Sequence, residues 1–235
     1  MLQQENRTRY TGSLRSLEAD AVRMGSLVLE MVSVASRLAV EPDERLAEKV
    51  LSWEVEVDAM EKDLVERVIV TLAMESPVAG DLLFLSATLL LVNELEKIGD
   101  EAAKLTGRLS KLQGEFPYEM NDLFREMSRM AQANLRESLH LYSQYSREAA
   151  QRLVSMDDQV DRTYKISRNL LLDMIRDDPE RSRQFLRCVE IFHALEHVSD
   201  RATDIAKRLQ TCYEPFVKVS RTSEPPSRSD LGAEV

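Results

Sequence analysis

Apolar residues recur every three or four positions along most of the chain, which is the spacing of one face of an α-helix. The pattern is interrupted by short polar breaks, most of them containing proline, at residues 41–43, 76–77, 114–117, 143–146 and 177–179. Proline is tolerated near the start of a helix but disrupts its interior, so each break separates two helices. The pattern predicts six helices, at residues 10–40, 43–74, 78–113, 117–145, 147–176 and 180–212.

The third predicted helix carries two apolar seams. One seam comprises Leu82, Leu85, Leu89 and Val92, and the other comprises Leu91, Leu95, Ile98, Ala102 and Leu105. A helix with two apolar seams packs between two neighbours, as the central member of a bundle does. Its most apolar run, 82–92, has about half of the ~20 residues that span a bilayer. We therefore expect a core helix here and no transmembrane segment.

Two blocks of sequence occur twice in the same order. Residues 53–58 match 156–161 at an offset of 103, and 95–100 match 195–200 at an offset of 100. The difference between the offsets falls in a connection between helices, where changes of length are tolerated. Such self-similarity indicates duplication of one structural unit. We predict an all-α protein of two tandem three-helix bundles, 8–113 and 116–213, followed by a disordered, Pro- and Ser-rich tail at 214–235.

Each predicted unit carries an acid pair with i, i+4 spacing on its second and on its third helix. The pairs are Glu54/Asp58 and Glu96/Asp100 in the first unit, and Asp157/Asp161 and Glu196/Asp200 in the second. This spacing puts both carboxylates of a pair on one helix face, one turn apart. In three of the pairs the first acid lies about 40° and the second about 80° around the helix from the apolar seam. These pairs are Glu54/Asp58, Glu96/Asp100 and Glu196/Asp200. These acids are therefore expected at the margin of the core.

Two facing helices would bring four such carboxylates together into an all-oxygen cluster. Repulsion among them is relieved by a hard or borderline cation, such as Mg²⁺, Mn²⁺ or iron, since these ions favour carboxylate oxygens. The alternative is that the acids are solvated surface residues, which is the usual situation for charged side chains. The matched positions of all four pairs favour the metal-binding interpretation.

Charge and composition narrow the possible functions. The net charge is −10, and a protein that binds nucleic acid through phosphate contacts normally presents a basic face, so we expect no nucleic-acid partner. The first ten residues lack the apolar stretch of a signal peptide, and Cys188 and Cys212 show no metal-site spacing. These features favour a cytoplasmic protein with reduced thiols. No Gly-rich phosphate loop or nucleophile–histidine constellation indicates an enzyme.

A di-iron carboxylate oxidase is the enzymatic alternative, because such helical bundles use two inward E-x-x-H motifs. The chain contains Glu137 with His140 and Glu190 with His193 at that spacing. On a helical wheel Glu190 and His140 fall about 160° and 140° from their core seams, which opposes this assignment. A metal-free helical scaffold is the other alternative. His197 is about 100° around the helix from Glu196, which favours a surface position over ligation.

The acid pairs and their surroundings resemble the PhoU family of regulators of bacterial phosphate uptake. The segments 96–100 and 196–200 resemble the family's third-helix E(D)xxxD motif, and 54–58 and 157–161 resemble the second-helix version. The likeness extends over nearly the whole chain except the tail. The family often has Asn four residues after the last acid, where this chain has Lys104 and Asp204. Lys104 could pair with Asp100 and weaken the first site, whereas Asp204 would add charge to the second, which we expect to bind cations more strongly.

This resemblance implies a non-catalytic cytoplasmic adaptor that acts as a negative regulator of the phosphate-starvation response. It implies metal ions at the eight acids, often iron, with Mn²⁺, Mg²⁺ and Zn²⁺ as further candidates. It also implies a homodimer and two partners, the ATPase subunit of the phosphate transporter and a sensor histidine kinase. Association with membrane complexes would be peripheral.

Overall fold

The chain is all-α in a computed structural model, which confirms the six predicted helices and the tandem arrangement. The structure describes the backbone of residues 2–112 and 116–222 and the side chains of 9–112 and 116–214, and these residues contain no β-strand. The helices are α1 (Leu2–Arg37), α2 (Glu44–Glu75), α3 (Ala79–Ser110), α4 (Asn121–Ser143), α5 (Arg147–Asp177) and α6 (Ser182–Thr222). Short 3-10 turns precede α4 and α6, at Tyr118–Met120 and Pro179–Arg181.

The breaks in the apolar pattern coincide with helix ends. At the start of α2, the Asp43 carboxylate accepts hydrogen bonds from the backbone N–H groups of Arg45 at 2.9 Å and Leu46 at 3.1 Å. Such an N-cap contributes about 1 kcal/mol, because it satisfies amide groups that have no partner within the helix. At the other end of α2, Ser76 adopts a left-handed conformation with φ of 44°, which turns the chain into Pro77.

The first and last helices are longer than predicted. α1 begins at Leu2 and ends at Arg37, because good helix formers extend it beyond the apolar seam on which the prediction depended. α6 continues to Thr222, so the first part of the predicted tail, 214–222, is helical. Contacts such as the stacking of Tyr213 on Tyr145, with ring centroids 4.5 Å apart, hold α6 beyond the predicted end at 212. The remainder of the predicted tail, 223–235, lies outside the described residues.

Two bundles share one core. α1, α2 and α3 pack together, as do α4, α5 and α6, and the bundles meet where α3 packs on α6 and α1 packs on α4. This explains the two seams of α3, most of whose members are fully buried. Leu82 is an exception at 44% exposed, because it lies in the first turn of α3, at the end of its seam. None of the described helices is both long and apolar enough to cross a membrane.

A buried carboxylate lies where the two bundles meet. The Glu94 side chain on α3 is only 1% exposed, and Lys97 on the same helix donates a hydrogen bond to it at 3.0 Å. From α6, guanidinium nitrogens of Arg201 and Arg208 lie 3.4 and 3.3 Å from the Glu94 carboxylate oxygens. The charge of Glu94 is thus compensated mainly from the opposite bundle, which ties α3 to α6.

Candidate metal centres in the two bundles

The first bundle brings three of its four predicted acids together. Glu54 and Asp58 on α2 and Asp100 on α3 each place a carboxylate oxygen within 4.8 Å of the other two. Glu96, one turn before Asp100, lies outside this triad. All four side chains are half-buried, which confirms the predicted position at the margin of the core.

Crowding of these carboxylates disfavours their charged form. Burial raises the pKa of Glu54 above its ordinary value, and the charges of Asp58 and Asp100 raise it further. Burial likewise raises the pKa of Glu96, followed by the charges of Asp100 and Asp58, while Lys97 opposes the shift. The cluster is therefore short of positive charge in the described structure.

Lys104 is close to the first cluster, as the sequence suggested. Its ammonium nitrogen lies 3.7 Å from an Asp100 oxygen but only 2.9 Å from Glu101, to which it donates a hydrogen bond. Because the shorter contact is with Glu101, Lys104 offsets only part of the Asp100 charge.

The second bundle repeats the triad. Asp161 on α5 and Glu196 and Asp200 on α6 place carboxylate oxygens within 4.8 Å of one another. The predicted fourth acid, Asp157, is outside this triad because its carboxylate is engaged elsewhere. The Ser199 hydroxyl donates to Asp157 at 2.7 Å, and the Asn134 side-chain amide donates to Ser199 at 2.8 Å.

Glu196 has the largest shift among the clustered acids. Burial, followed by the charges of Asp200, Asp161 and Asp157, raises its pKa from 4.5 to about 7. Its Oε2 atom is buried and has no hydrogen-bond partner. Burial and the same two aspartates of α5 also raise the pKa of Asp200. The charged form of Glu196 is therefore disfavoured in the metal-free protein.

Basic residues also flank the second cluster, which the sequence comparison did not anticipate. Lys165 lies 3.6 Å from Asp161, a contact similar to that of Lys104 with Asp100. Asp204 contributes negative charge that raises the pKa of Asp200, as expected, but it also lies 3.8 Å from Lys207. The charge difference between the two clusters is therefore smaller than their sequences indicated.

Two histidines lie beside the second cluster, and the helical-wheel argument placed one of them, His197, at the surface. His193 Nε2 and His197 Nε2 are 3.7 and 3.9 Å from Glu196 Oε2. The side chains of His193 and His197 are 43% and 39% exposed, so the surface position predicted for His197 is confirmed, but both rings face the same carboxylate. Burial, and then the neighbouring His197 and Arg108, lower the pKa of His193. The H-x-x-E-H order of residues 193–197 was the signal available in the sequence.

The E-x-x-H residues of a di-iron centre do not assemble inside a bundle. Glu190 is 51% exposed and pairs with Arg187 at 3.0 Å, and His140 is exposed on α4.

The geometry of the two triads suits an oxygen-preferring cation. Hard divalent ions bind carboxylate oxygens at about 2.0–2.6 Å, and oxygens within 4.8 Å of one another can bind one ion after small side-chain rotations. The raised pKa values of Glu54, Glu96, Glu196 and Asp200 have the same causes, burial first and then the negative charge of neighbouring carboxylates, which a cation would neutralise. Ligation of metal by the eight acids remains a prediction.

Comparison with known proteins agrees with the repeat. The sequence model of the PhoU domain matches residues 21–108 and 124–209, segments that lie within the predicted units 8–113 and 116–213. The limits of those units remain a prediction.

Individual relatives and solved structures agree with this match. The chain is 31% identical to a phosphate-specific transport system accessory protein PhoU homolog from Synechocystis, covering 86% of this chain and 90% of that protein. It is 27% identical to the homolog from Clostridium acetobutylicum over 84% and 91% of the two chains. The crystal structure of PhoU from Pseudomonas aeruginosa is similar with a TM-score of 0.82 and 26% identity, over 88% of this chain and 99% of that one. With two copies of the domain over most of its length, the chain belongs to the PhoU family.

Proposed function

We propose that this protein is a non-catalytic regulator of phosphate uptake and phosphate-starvation signalling. It acts as a metal-binding adaptor in the cytoplasm, and its metal ions are iron or another divalent cation held by the acid clusters. Its partners are the ATPase subunit of the phosphate transporter and a sensor histidine kinase, and its assembly state is a homodimer.

Support for the regulatory part of this proposal comes from the relatives. Those from Synechocystis and Clostridium acetobutylicum are named accessory proteins of the phosphate-specific transport system, and the match covers most of both chains. An accessory protein of a transporter acts by contacting other proteins. The fold of the described residues is compatible with this role, because two bundles that meet through α3 and α6 can present separate faces to two partners.

Support for the metal-binding part comes from the repeated triads, and this is the observation on which the proposal depends most. Surface acids rarely lie half-buried and within 4.8 Å of two others, and the two triads share two matched positions of the repeat, Asp58/Asp161 and Asp100/Asp200. Without a cation, each triad leaves several like charges close together beside an apolar seam, which destabilises the folded state. A cation bound only by the folded state raises the melting temperature with its concentration.

Titration calorimetry of the metal-stripped protein with Mn²⁺ and Fe²⁺ tests the sites. The double variant Glu196→Gln/Asp200→Asn should lose the second site, and Glu96→Gln/Asp100→Asn should weaken the first. The matched control is Glu44→Gln/Glu48→Gln, an i, i+4 acid pair on the exposed face of α2. Equal binding by the wild type and all three variants would mean that the clustered acids are only a solvated face of a helical scaffold.

Deletion of the coding sequence in the host tests the regulatory role. The phosphate-starvation response should remain switched on in phosphate-rich medium and return to repression on complementation with the wild-type chain. Complementation with the control variant should restore repression, and complementation with the Glu196→Gln/Asp200→Asn variant should do so less completely. Normal repression of the phosphate-uptake genes in the deletion strain would refute the proposal.

A further inference from the structure

The histidine pair on α6 differs from the acid clusters in ligand chemistry, and it adjoins the second cluster, with which it shares Glu196. His193 and His197 are spaced i, i+4, so both rings lie on one helix face, as in zinc-binding helices with the H-E-x-x-H motif. Glu196 lies between them in sequence and reaches the same face. Together the three residues offer two imidazole nitrogens and one carboxylate oxygen, all within 4.8 Å of one another.

The distances match a small tetrahedral ion. With bonds of about 2.1 Å to nitrogen and oxygen, neighbouring ligand atoms of a tetrahedral zinc ion lie about 3.4 Å apart. The nitrogens of His193 and His197 lie 3.7 and 3.9 Å from Glu196 Oε2, a few tenths of an ångström longer. This oxygen is buried and has no hydrogen-bond partner, so it is available to a ligand that enters between the rings.

Neighbouring side chains hold the two rings in place. The His193 ring packs against Tyr164 of α5, with centroids 5.7 Å apart, and against His197 at 4.0 Å. His197 Nδ1 lies 3.7 Å from Glu101 of α3, in the other bundle. A carboxylate beside the ring nitrogen that does not bind metal orients most metal-binding histidines, and a shortening of this 3.7 Å contact would give His197 such a partner when it binds metal through Nε2.

The basic side chains of α3 near the histidine pair already have hydrogen-bond partners. Lys104 donates to Glu101, and Arg108 donates to the backbone carbonyl of Glu190 at 3.1 Å. Neither cation is held against the Glu196 oxygen that faces the rings.

The first bundle lacks this feature. At the offset of 100, Asn93 and Lys97 replace His193 and His197, and Lys97 pairs with Glu94 instead. The mixed nitrogen and oxygen set is therefore specific to the second copy of the repeat, and its two histidines are not part of the acid motifs.

We propose that His193, Glu196 and His197 form a binding site for a borderline divalent cation such as Zn²⁺, with Glu101 of the opposite bundle as the carboxylate that orients His197. Three protein ligands leave a fourth position for water. Imidazole ligands favour Zn²⁺ over Mg²⁺ and Mn²⁺, so this site selects a different ion from the triads. Because its parts come from α6 and α3, bound metal adds a link between the bundles.

Histidine-ring NMR of the metal-stripped, full-length protein titrated with Zn²⁺ gives a direct test, because the chain has only three histidines. The ring signals of His193 and His197 should shift on addition of one equivalent, whereas those of the exposed His140 should not move. Unchanged ring signals of His193 and His197 at saturating Zn²⁺ would overturn the proposal.

Variants separate this site from the acid triads. Zn²⁺ affinity measured by calorimetry should fall at least tenfold in His193→Gln and in His197→Gln, fall less in Glu101→Gln, and be unchanged in the control His140→Gln. Asp161→Asn should weaken Mn²⁺ binding yet leave the Zn²⁺-dependent ring shifts intact. Equal Zn²⁺ affinity in the His193 and His197 variants and in the control would show that the imidazoles are not ligands. Failure of Mn²⁺ binding with intact ring shifts would count against the triads alone.

Discussion

The two bundles differ in the residues that surround the first acid of their second helix, Glu54 in one and Asp157 in the other. At the offsets of the repeat, Met31, Gly99 and Glu54 of the first bundle correspond to Asn134, Ser199 and Asp157 of the second. In the first bundle this layer is apolar: a methyl group added at Gly99 would lie 3.2 Å from Val57 and 3.7 Å from Met31.

In the second bundle the same layer is a chain of hydrogen bonds from Asn134 through Ser199 to Asp157. Burial of an amide and a hydroxyl is costly unless they are paired, and here the Asn134 N–H and the Ser199 hydroxyl have partners, while Asn134 Oδ1 has none. The second bundle thus has a polar chain that fixes one carboxylate where the first bundle has apolar packing. Asp157 is thereby held away from the triad, while Glu54, its counterpart, is free to join one. Duplication preserved the positions of the acids but not their roles.

The largest expected difference between the bundles is in the pH dependence of stability. Glu196 has a pKa of about 7 in the folded protein against 4.5 for the ordinary group, so the folded state binds this proton more tightly than the unfolded state does. Its favourable contribution is fully present below pH 4.5 and is lost as the pH rises through 7. Relative to Glu196→Gln, the metal-free wild type should lose on the order of 3 kcal/mol of unfolding free energy between pH 5 and 8.

Urea unfolding at several pH values in the presence of a chelator measures this difference. Glu96→Gln is the matched variant in the first bundle, and its effect should have the same sign but be smaller, because Lys97 favours the ionised form of Glu96. Equal pH profiles for the Glu196 variant and the wild type would show that burial and the neighbouring aspartates do not disfavour the charged form of Glu196.

A second, smaller difference concerns the buried layer. Ser199→Ala removes the hydroxyl that bridges Asn134 and Asp157, leaving buried polar groups unpaired, and should cost about 1–3 kcal/mol. The counterpart Gly99→Ala should change stability by less than about 1 kcal/mol, since its gain in helix propensity offsets the tight contact with Val57. Chemical denaturation of both variants at pH 7 checks the contrast. A Ser199 variant as stable as the Gly99 variant would mean that the hydrogen-bond chain contributes nothing net.

The smallest effect concerns the lysines beside the triads. Lys104→Gln and Lys165→Gln each remove a cation about 3.7 Å from a triad aspartate, and both should strengthen Mn²⁺ binding two- to fivefold, because half-exposed ion pairs are weak. Calorimetry of the two variants compares them. If Lys104→Gln strengthens Mn²⁺ binding and Lys165→Gln does not, Lys104 sets the difference in affinity between the two sites. If both variants strengthen binding to a similar extent, that difference is assigned to Asp157 and Asp204 instead.

Much of this architecture could be predicted from the sequence, because it depends on single helices. The i, i+4 spacing of Glu96 and Asp100, and their angle to the seam, correctly placed them at half-buried positions. The features that the sequence did not reveal depend on contacts between helices. A helical wheel placed His197 at the surface but could not show that His193 and Glu101 approach it, nor that Asp157 faces a serine on another helix. It also gave no reason to expect a buried carboxylate at Glu94, since its compensating arginines lie more than a hundred residues further along the chain.

The Glu94 cluster has a consequence for how this sequence can evolve. Glu94 is 1% exposed and shares its charge with Arg201 and Arg208 on α6, so loss of either arginine leaves a buried carboxylate less well compensated. At the repeat offset its counterpart is Ala194, which needs no such partners. Loss of the arginines at 201 and 208 should therefore be accepted only where position 94 no longer carries a carboxylate. Among relatives, these three positions are expected to covary as one unit, whereas position 194 varies with its apolar neighbours alone.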